Sequence, residues 1–201
     1  MYLAKKYGLI PVGTMAHEYI MAMLGYSKIP LAYANYYALK EWYDVYRGDN
    51  GTALSDTLGT DVFLLDFDRS MASTFTGVRN DSGDPYKWAD KMIAHYNKYN
   101  IDPRTKTLLF SNSLSLDEAQ RLYDTYKYKA NVAFGIGGGV TTNGNVPGLN
   151  IVIKLQEVNG RPVAKLSDDS GKEMCQDPNY LSYLKQAVTF RLTSEANNER
   201  T

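Results

Sequence analysis

Short apolar runs alternate with longer amphipathic ones along most of the chain. The segments "LIPVGT", "TALSDT", "STFTGVRNDSG", "KTLLFSNS", "NVAFGIGGG" and "LNIVIKLQEV" are short and apolar, with Gly, Ser, Asn or Asp nearby, which predicts strands. "AHEYIMAMLG", "ANYYALKEWYDVY", "DPYKWADKMIAHYNKYN" and "SLDEAQRLYDTYKY" repeat apolar residues at helical spacing, which predicts helices. Strand followed by helix, several times over, predicts an α/β fold on a parallel sheet. Thr14, Asp56, Arg79, Ser111 and Gly135 each open a polar or Gly-rich cluster where a predicted strand gives way to the next segment. In a barrel of alternating strands and helices that edge is where a site is assembled, so these turns become neighbours around one pocket.

Composition narrows the function classes. With 201 residues, 44% of them hydrophobic and 22% charged, the chain can build one domain with a substantial core. Lys plus Arg equals Asp plus Glu at 22 each, so no bulk charge draws it to nucleic acid or an anionic membrane. Any anion it binds must be held locally. The lone Cys175 excludes an internal disulfide framework and a Cys-rich zinc site, and with His17 and His95 the only histidines no metal ligands are assigned. A reducing, cytoplasmic setting is the simplest reading. Lys5 and Lys6 precede an apolar stretch, but Gly13-Thr14 and His17-Glu18 interrupt it well short of the ~18 apolar residues of a membrane span. Neither secretion nor membrane insertion is expected. The 17 tyrosines are spread along helical segments, which suits helix faces better than a base-stacking platform.

Candidate chemistry concentrates in the turns. Asp81-Ser82-Gly83-Asp84-Pro85 could serve a turn and a helix start for local reasons alone, but Arg79 has no place in that explanation. Gly137, Gly138 and Gly139 let backbone N–H groups close on a phosphate, although the spacing is neither a Walker loop nor a dinucleotide fingerprint. Carboxylates beside such a cradle, Asp56 and Asp61 in one turn and Asp81 and Asp84 in another, suit Mg²⁺ or ribose hydroxyls, and Arg79 suits a carboxylate. His17 can act as acid, base or phosphoryl acceptor, or be a plain hydrogen-bonding residue. His95, mid-helix, is assigned to a helix surface or helix contact.

Taken together, "GTMAHE", "LSDTLGTDVFLLDF", "GVRNDSGDP", "TLLFSNSLSLDEA", "FGIGGGVTT" and "LNIVIKLQEVNGRPVAKLSDDSGK" resemble, in order and from Tyr2 to about Phe190, the C-terminal half of the nicotinate phosphoribosyltransferase family. The resemblance implies an irregular α/β barrel of the type II phosphoribosyltransferase kind, incomplete in this chain, over residues 1–190, with 191–201 as a polar tail. It implies that nicotinate and phosphoribosyl pyrophosphate give nicotinate mononucleotide and pyrophosphate, with ATP as co-substrate and Mg²⁺ as cofactor. His17 then matches the histidine that ATP phosphorylates, Arg79 the arginine beside the pyridine carboxylate, and Asp81 the acidic residue near ribose and pyrophosphate. Thr14, Asp56, Ser82, Ser111, Asn112 and Gly137, Gly138 and Gly139 line the expected substrate pocket. Lys154, Lys165 and Lys172 are candidates for anionic groups or simply solvated lysines.

Two departures bear on affinity: Asn112 stands where the family often has Asp, and Asn80 where His is common. The resemblance also implies a homodimer, and a missing N-terminal half that supplies a ring-stacking aromatic residue and further basic groups. Two alternatives accompany this reading. One is a non-catalytic remnant or subunit that binds phosphoribosyl or nucleotide ligands; the other is a type II phosphoribosyltransferase that prefers nicotinamide.

Overall fold

The computed structural model describes residues 2–10, 13–137 and 151–198. Helices α1 (Tyr2–Tyr7), α2 (His17–Met23) and α3 (Ala34–Tyr46) come first, followed by the short strand β1 (Arg47–Asn50). The centre is a parallel four-stranded sheet in chain order: β2 (Thr52–Leu54), β3 (Gly77–Asn80), β4 (Thr107–Phe110) and β5 (Asn131–Phe134). Between these strands run α4 (Thr60–Asp66) and α5 (Arg69–Thr74), then α6 (Pro85–Lys98), then α7 (Leu116–Tyr126). Parallel crossovers keep one hand, so a strand order without reversal puts the connecting helices on one face of the sheet. The sheet is open: among the described residues β2 and β5 are its outer strands, and no closed barrel forms.

Local sequence explains most of these elements. Asp84 caps α6, its Oδ1 accepting from Tyr86 N at 2.9 Å and Lys87 N at 3.1 Å, with Pro85 in the first turn. Asp68 and Ser115 cap α5 and α7 by accepting from Met71 N and Glu118 N. β3 opens on Gly77, a position that needs glycine because a Cβ there would run into the Thr107 carbonyl of β4. Two strand expectations do not hold. Leu9, Ile10, Gly13 and Thr14 form no strand, with Pro11 and Val12 outside the described residues, and the segment 151–156 is irregular. In place of one long strand, β6 (Glu157–Val158) and β7 (Arg161–Pro162) form an antiparallel hairpin. Its turn is Asn159-Gly160, both at positive φ, the pair that favours a hairpin matching strand twist.

Two apolar clusters hold the fold. One packs Phe63, Phe67, Phe75, Trp88, Tyr96, Phe110 and Tyr126 against the sheet; each such ring contributes about 1.5–3 kcal/mol when removed from water. The second joins α2 and α4 to Val163, Ala164 and Leu166 and to Leu184 and Val188 of the last helix, α8 (Pro178–Asn198). α8 continues to Asn198, and Arg191 within it is buried, its Nη2 2.6 Å from Asp66 Oδ1 and its Nη1 donating to the Ala32 carbonyl at 2.6 Å. Among the described residues no helix is long and apolar enough to cross a membrane.

Candidate active site

The parallel register sets the heights of the functional side chains. Leu54, Arg79 and Leu109 are level across β2, β3 and β4, and Asn80, Phe110 and Phe134 are level across β3, β4 and β5. The ladder continues just past the strands, with Ser111 N donating to the Asn80 carbonyl at 2.9 Å and Gly135 N to the Phe110 carbonyl at 2.8 Å. Asp56, Asp81, Ser111 and Gly135 thus all project from one edge, the carboxyl ends of the strands, where parallel sheets gather their ligands.

Arg79 organises one half of this edge. Its Nε donates to Ser111 Oγ at 2.8 Å, its Nη1 to Thr14 Oγ1 at 2.8 Å and its Nη2 to Asp81 Oδ1 at 2.6 Å. The planar fork therefore ties three turns together. Thr14, Arg79, Ser111 and Gly135 to Gly137 line a cavity of about 540 Å³. Gly138 and Gly139 lie outside the described residues.

His17 organises the other half. As the first residue of α2 it is buried, with Nε2 2.9 Å from Asp56 Oδ1 and 3.5 Å from Asp81 Oδ2. Asp56 is fully buried; its Oδ2 accepts from Ser82 Oγ at 2.6 Å and faces Lys165 Nζ at 2.8 Å. Burial by itself would raise the Asp56 carboxyl, but the hydrogen bond to His17 and the ammonium of Lys165 outweigh it and hold the group well below the usual carboxylate range. Asp56 is an anion throughout the working pH range. His17, Asp81, Lys154, Lys165 and Lys172 line a second cavity of about 490 Å³. Asp81 and His17 face this cavity while Arg79, bonded to Asp81, faces the first, so the two spaces adjoin across the Arg79–Asp81 pair.

The other predicted residues divide by burial. Ser82 is buried and its hydroxyl is taken up by Asp56, while Asn112 donates to the Gly83 carbonyl at 3.3 Å. Asp61 pairs with Lys91 on the surface at 2.5 Å and Asp84 is the α6 cap, so neither stands with Asp56 and Asp81. His95 is buried against the Phe67 carbonyl at 2.6 Å, a helix contact as expected. Of the three lysines, Lys165 reaches both carboxylates, Lys154 pairs with Glu18 at 2.7 Å and Lys172 with Asp169 at 2.7 Å. Asp168 was not anticipated: its carboxylate, kept above the usual range by burial, accepts from Thr60 N at 2.8 Å and Thr60 Oγ1 at 2.5 Å. No spacing rule links residues so far apart in sequence.

His17, Asp56 and Asp81 place potential metal-ligand atoms within 4.8 Å of one another. The Lys165 ammonium already stands 2.8 Å from Asp56 and 4.0 Å from Asp81, and both Asp56 oxygens are engaged. These donors do not make a protein-only Mg²⁺ cage. They do suit a Mg²⁺ that arrives bound to phosphate oxygens and needs one carboxylate, for which Asp81 Oδ2 is the more open candidate.

Comparison with known proteins follows the same lines. The model of the nicotinate phosphoribosyltransferase (NAPRTase) family matches residues 1–192. The chain is 48% identical over 185 residues to a nicotinate phosphoribosyltransferase of Xanthomonas euvesicatoria pv. vesicatoria, covering 92% of this chain and 47% of the relative. It is 48% identical over 191 residues to that of Cupriavidus necator, covering 95% and 48%. The fold is similar to the crystal structure of nicotinate phosphoribosyltransferase from Vibrio cholerae, with TM-score 0.88, 38% identity and coverage of 98% of this chain and 49% of that one. The enzyme structure from Porphyromonas gingivalis gives 0.85, 35%, 94% and 50%. The chain spans about half the length of the curated relatives it matches.

Proposed function

The chain belongs to the nicotinate phosphoribosyltransferase family, and on that premise we propose that it carries the transfer site of such an enzyme. That site joins nicotinate to phosphoribosyl pyrophosphate to give nicotinate mononucleotide and pyrophosphate, a step of NAD biosynthesis, with ATP as co-substrate. The observation that carries this reading is the convergence of Thr14, Arg79 and Ser111 on one cavity and of His17 and Asp81, with Asp56 buried behind the histidine, on an adjoining one at the same sheet edge. The chain-order sheet supports an irregular barrel in the longer protein, one that needs further strands beside β2 and β5. We assign the missing half, a homodimeric assembly and a cytoplasmic setting on the same premise.

Each role follows from chemistry. Positive charge develops on the ribose as pyrophosphate leaves, and Asp81 is the carboxylate placed to meet it. Arg79, held by Thr14, Ser111 and Asp81, presents a fixed cation to the nicotinate carboxylate. The sugar phosphate is assigned to the backbone from Gly137 through Gly139, with Ser111 and Asn112 on the neighbouring turn. Mg²⁺ carried by the pyrophosphate would offset charge on the leaving group, with Asp81 reaching it. ATP phosphorylates His17: the bond from its γ-phosphorus to the bridging oxygen breaks, ADP leaves, and a bond to an imidazole nitrogen forms. With Asp56 accepting the Nε2 proton, the lone pair lies on Nδ1, the nitrogen we assign as acceptor.

The test is nicotinate mononucleotide formation from nicotinate, phosphoribosyl pyrophosphate, ATP and Mg²⁺, by the 201-residue chain alone and mixed with a separately expressed complementary half. Product from the mixture supports the reading. A folded mixture that binds the substrates but forms no product overturns it in favour of a binding remnant, and turnover of nicotinamide in preference to nicotinate overturns the base assignment.

A further inference from the structure

The segment 165–169 is fastened to the site edge at nearly every residue. Leu166 N donates to the Thr57 carbonyl at 2.8 Å, directly after Asp56. Lys165 Nζ reaches Asp56, and Asp168 N donates to Ser82 Oγ at 3.0 Å, the same hydroxyl that donates to Asp56. The Asp169 carboxylate, held below the usual range by Lys172 at 2.7 Å, also feels the Gly83 backbone and the Asn112 side chain. The Asp168 side chain turns the other way and binds the start of α4, where the preceding residue, Gly59, offers no cap of its own. The fit is close: Gly83 sits at φ +75, and a Cβ there would lie 3.1 Å from the Asp168 Cβ.

We propose that Asp168 is a positioning residue for His17: by capping α4 through Thr60 from a distant part of the chain, it fixes the 165–169 segment so that Lys165 and Ser82 both reach Asp56. Asp168 touches neither His17 nor the cavity that His17 lines; its influence passes through Asp56, whose other oxygen holds the imidazole. A helix cap is ordinarily local, supplied by the residue just before the helix. Here the cap is 108 residues away in sequence and its backbone N–H is spent on the Ser82 hydroxyl that donates to the Asp56 carboxylate. One residue therefore couples the start of α4 to the orientation of the histidine. The proposal rests on the reading of His17 as the phosphoryl acceptor only for its functional meaning.

The chain offers a clean assay because it has two histidines, His17 and His95, and His95 is buried in a separate contact with Phe67. Imidazole ¹⁵N and ¹H resonances of the full chain would be recorded for the native sequence, Asp168→Ala and Thr60→Val. The expected result is that Asp168→Ala moves the His17 signals and leaves those of His95 in place, with Thr60→Val doing the same by less. Unmoved His17 signals beside unmoved His95 signals overturn the proposal, and so does equal displacement of both, which marks a general structural role. Should Asp168→Ala not fold, Thr60→Val, which removes one of the two cap bonds, decides by the same criterion. In the same proteins, ATP-dependent labelling of His17 should slow about tenfold in Asp168→Ala with the KM for ATP changed much less, since the loss is of orientation. If the native chain mixed with its complementary half takes no label while the His17 signals still move selectively, the phosphoryl-acceptor reading fails and the positioning role stands.

Discussion

His17 and Asp56 form a pair whose members answer to different measurements. His17→Ala should abolish ATP-dependent labelling and leave the fold intact, as read by radiolabel and circular dichroism. Asp56→Asn should retain the shape but slow labelling by about 10- to 100-fold, because the imidazole loses the anion that orients it. The sign of the pH effect follows from the depressed Asp56 carboxyl. Its stabilising contribution is complete above its unfolded value of about 3.9 and is lost as pH falls toward the folded value, so denaturant titrations between about pH 5 and pH 2 should show a shallower pH dependence in Asp56→Asn. Arg79→Lys cannot serve Thr14, Ser111 and Asp81 at once, and a rise of about tenfold or more in the KM for nicotinate is expected from steady-state kinetics of the completed enzyme. His17, Arg79 and Asp81 were legible in the sequence because each sits where a short apolar run ends and a polar turn begins. Asp168 was not, because "LSDDSG" has the composition of any surface turn and its partner Thr60 is 108 residues away.

At the scale of elements, α8 is the informative case. No helix was expected there, although Asp177 caps its start by accepting from Asn179 N at 2.9 Å and Tyr180 N at 3.1 Å around Pro178, and its polar end hid the burial of Arg191. That arginine lies against Asp66 and over the Tyr33 ring at 3.9 Å, pinning α8 to α4 and to the short turn before α3. Arg191→Ala strips the partner from a buried carboxylate, and a loss of about 3–5 kcal/mol is expected in chemical denaturation. Burial pushes Asp66 up to about 6 even with Arg191 beside it. A raised carboxyl stabilises the fold most below its unfolded value of about 3.9, and that contribution disappears as pH rises through about 6, opposite in sign to Asp56. The helices α3, α6 and α7 were readable from their periodicity. α4 was not, because "TDVFLLD" is a nearly unbroken apolar run whose spacing cannot distinguish strand from buried helix, and its cap comes from elsewhere.

For the whole molecule, the two apolar clusters divide the labour. The first supports the sheet; the second joins α2, α4, the segment around Val163 and α8, and so holds the His17 half of the site to the rest. Leu184→Ala in the second cluster should cost about 2–5 kcal/mol and lower the melting temperature. It should also weaken ATP-dependent labelling before it disturbs the sheet, which amide hydrogen exchange of β3 and β4 would report. The α/β class was legible because repeated strand–helix alternation allows few other arrangements, whereas the expected closure is not seen: among the described residues the sheet is open. The distances in sequence spanned by the site carry a last consequence. The β2-to-β5 units close over short loops, but Asp168 meets Thr60 across 108 residues, Arg191 meets Asp66 across 125, and Lys154 meets Glu18 across 136. Closing long loops is entropically late and slow, so the sheet should nucleate first during synthesis. A chain whose sheet has formed before the 165–169 segment and α8 dock would have Arg79 level with its neighbours in the sheet and His17 still without the Lys165 contact that steadies Asp56, so the His17 half of the site is the last to be assembled.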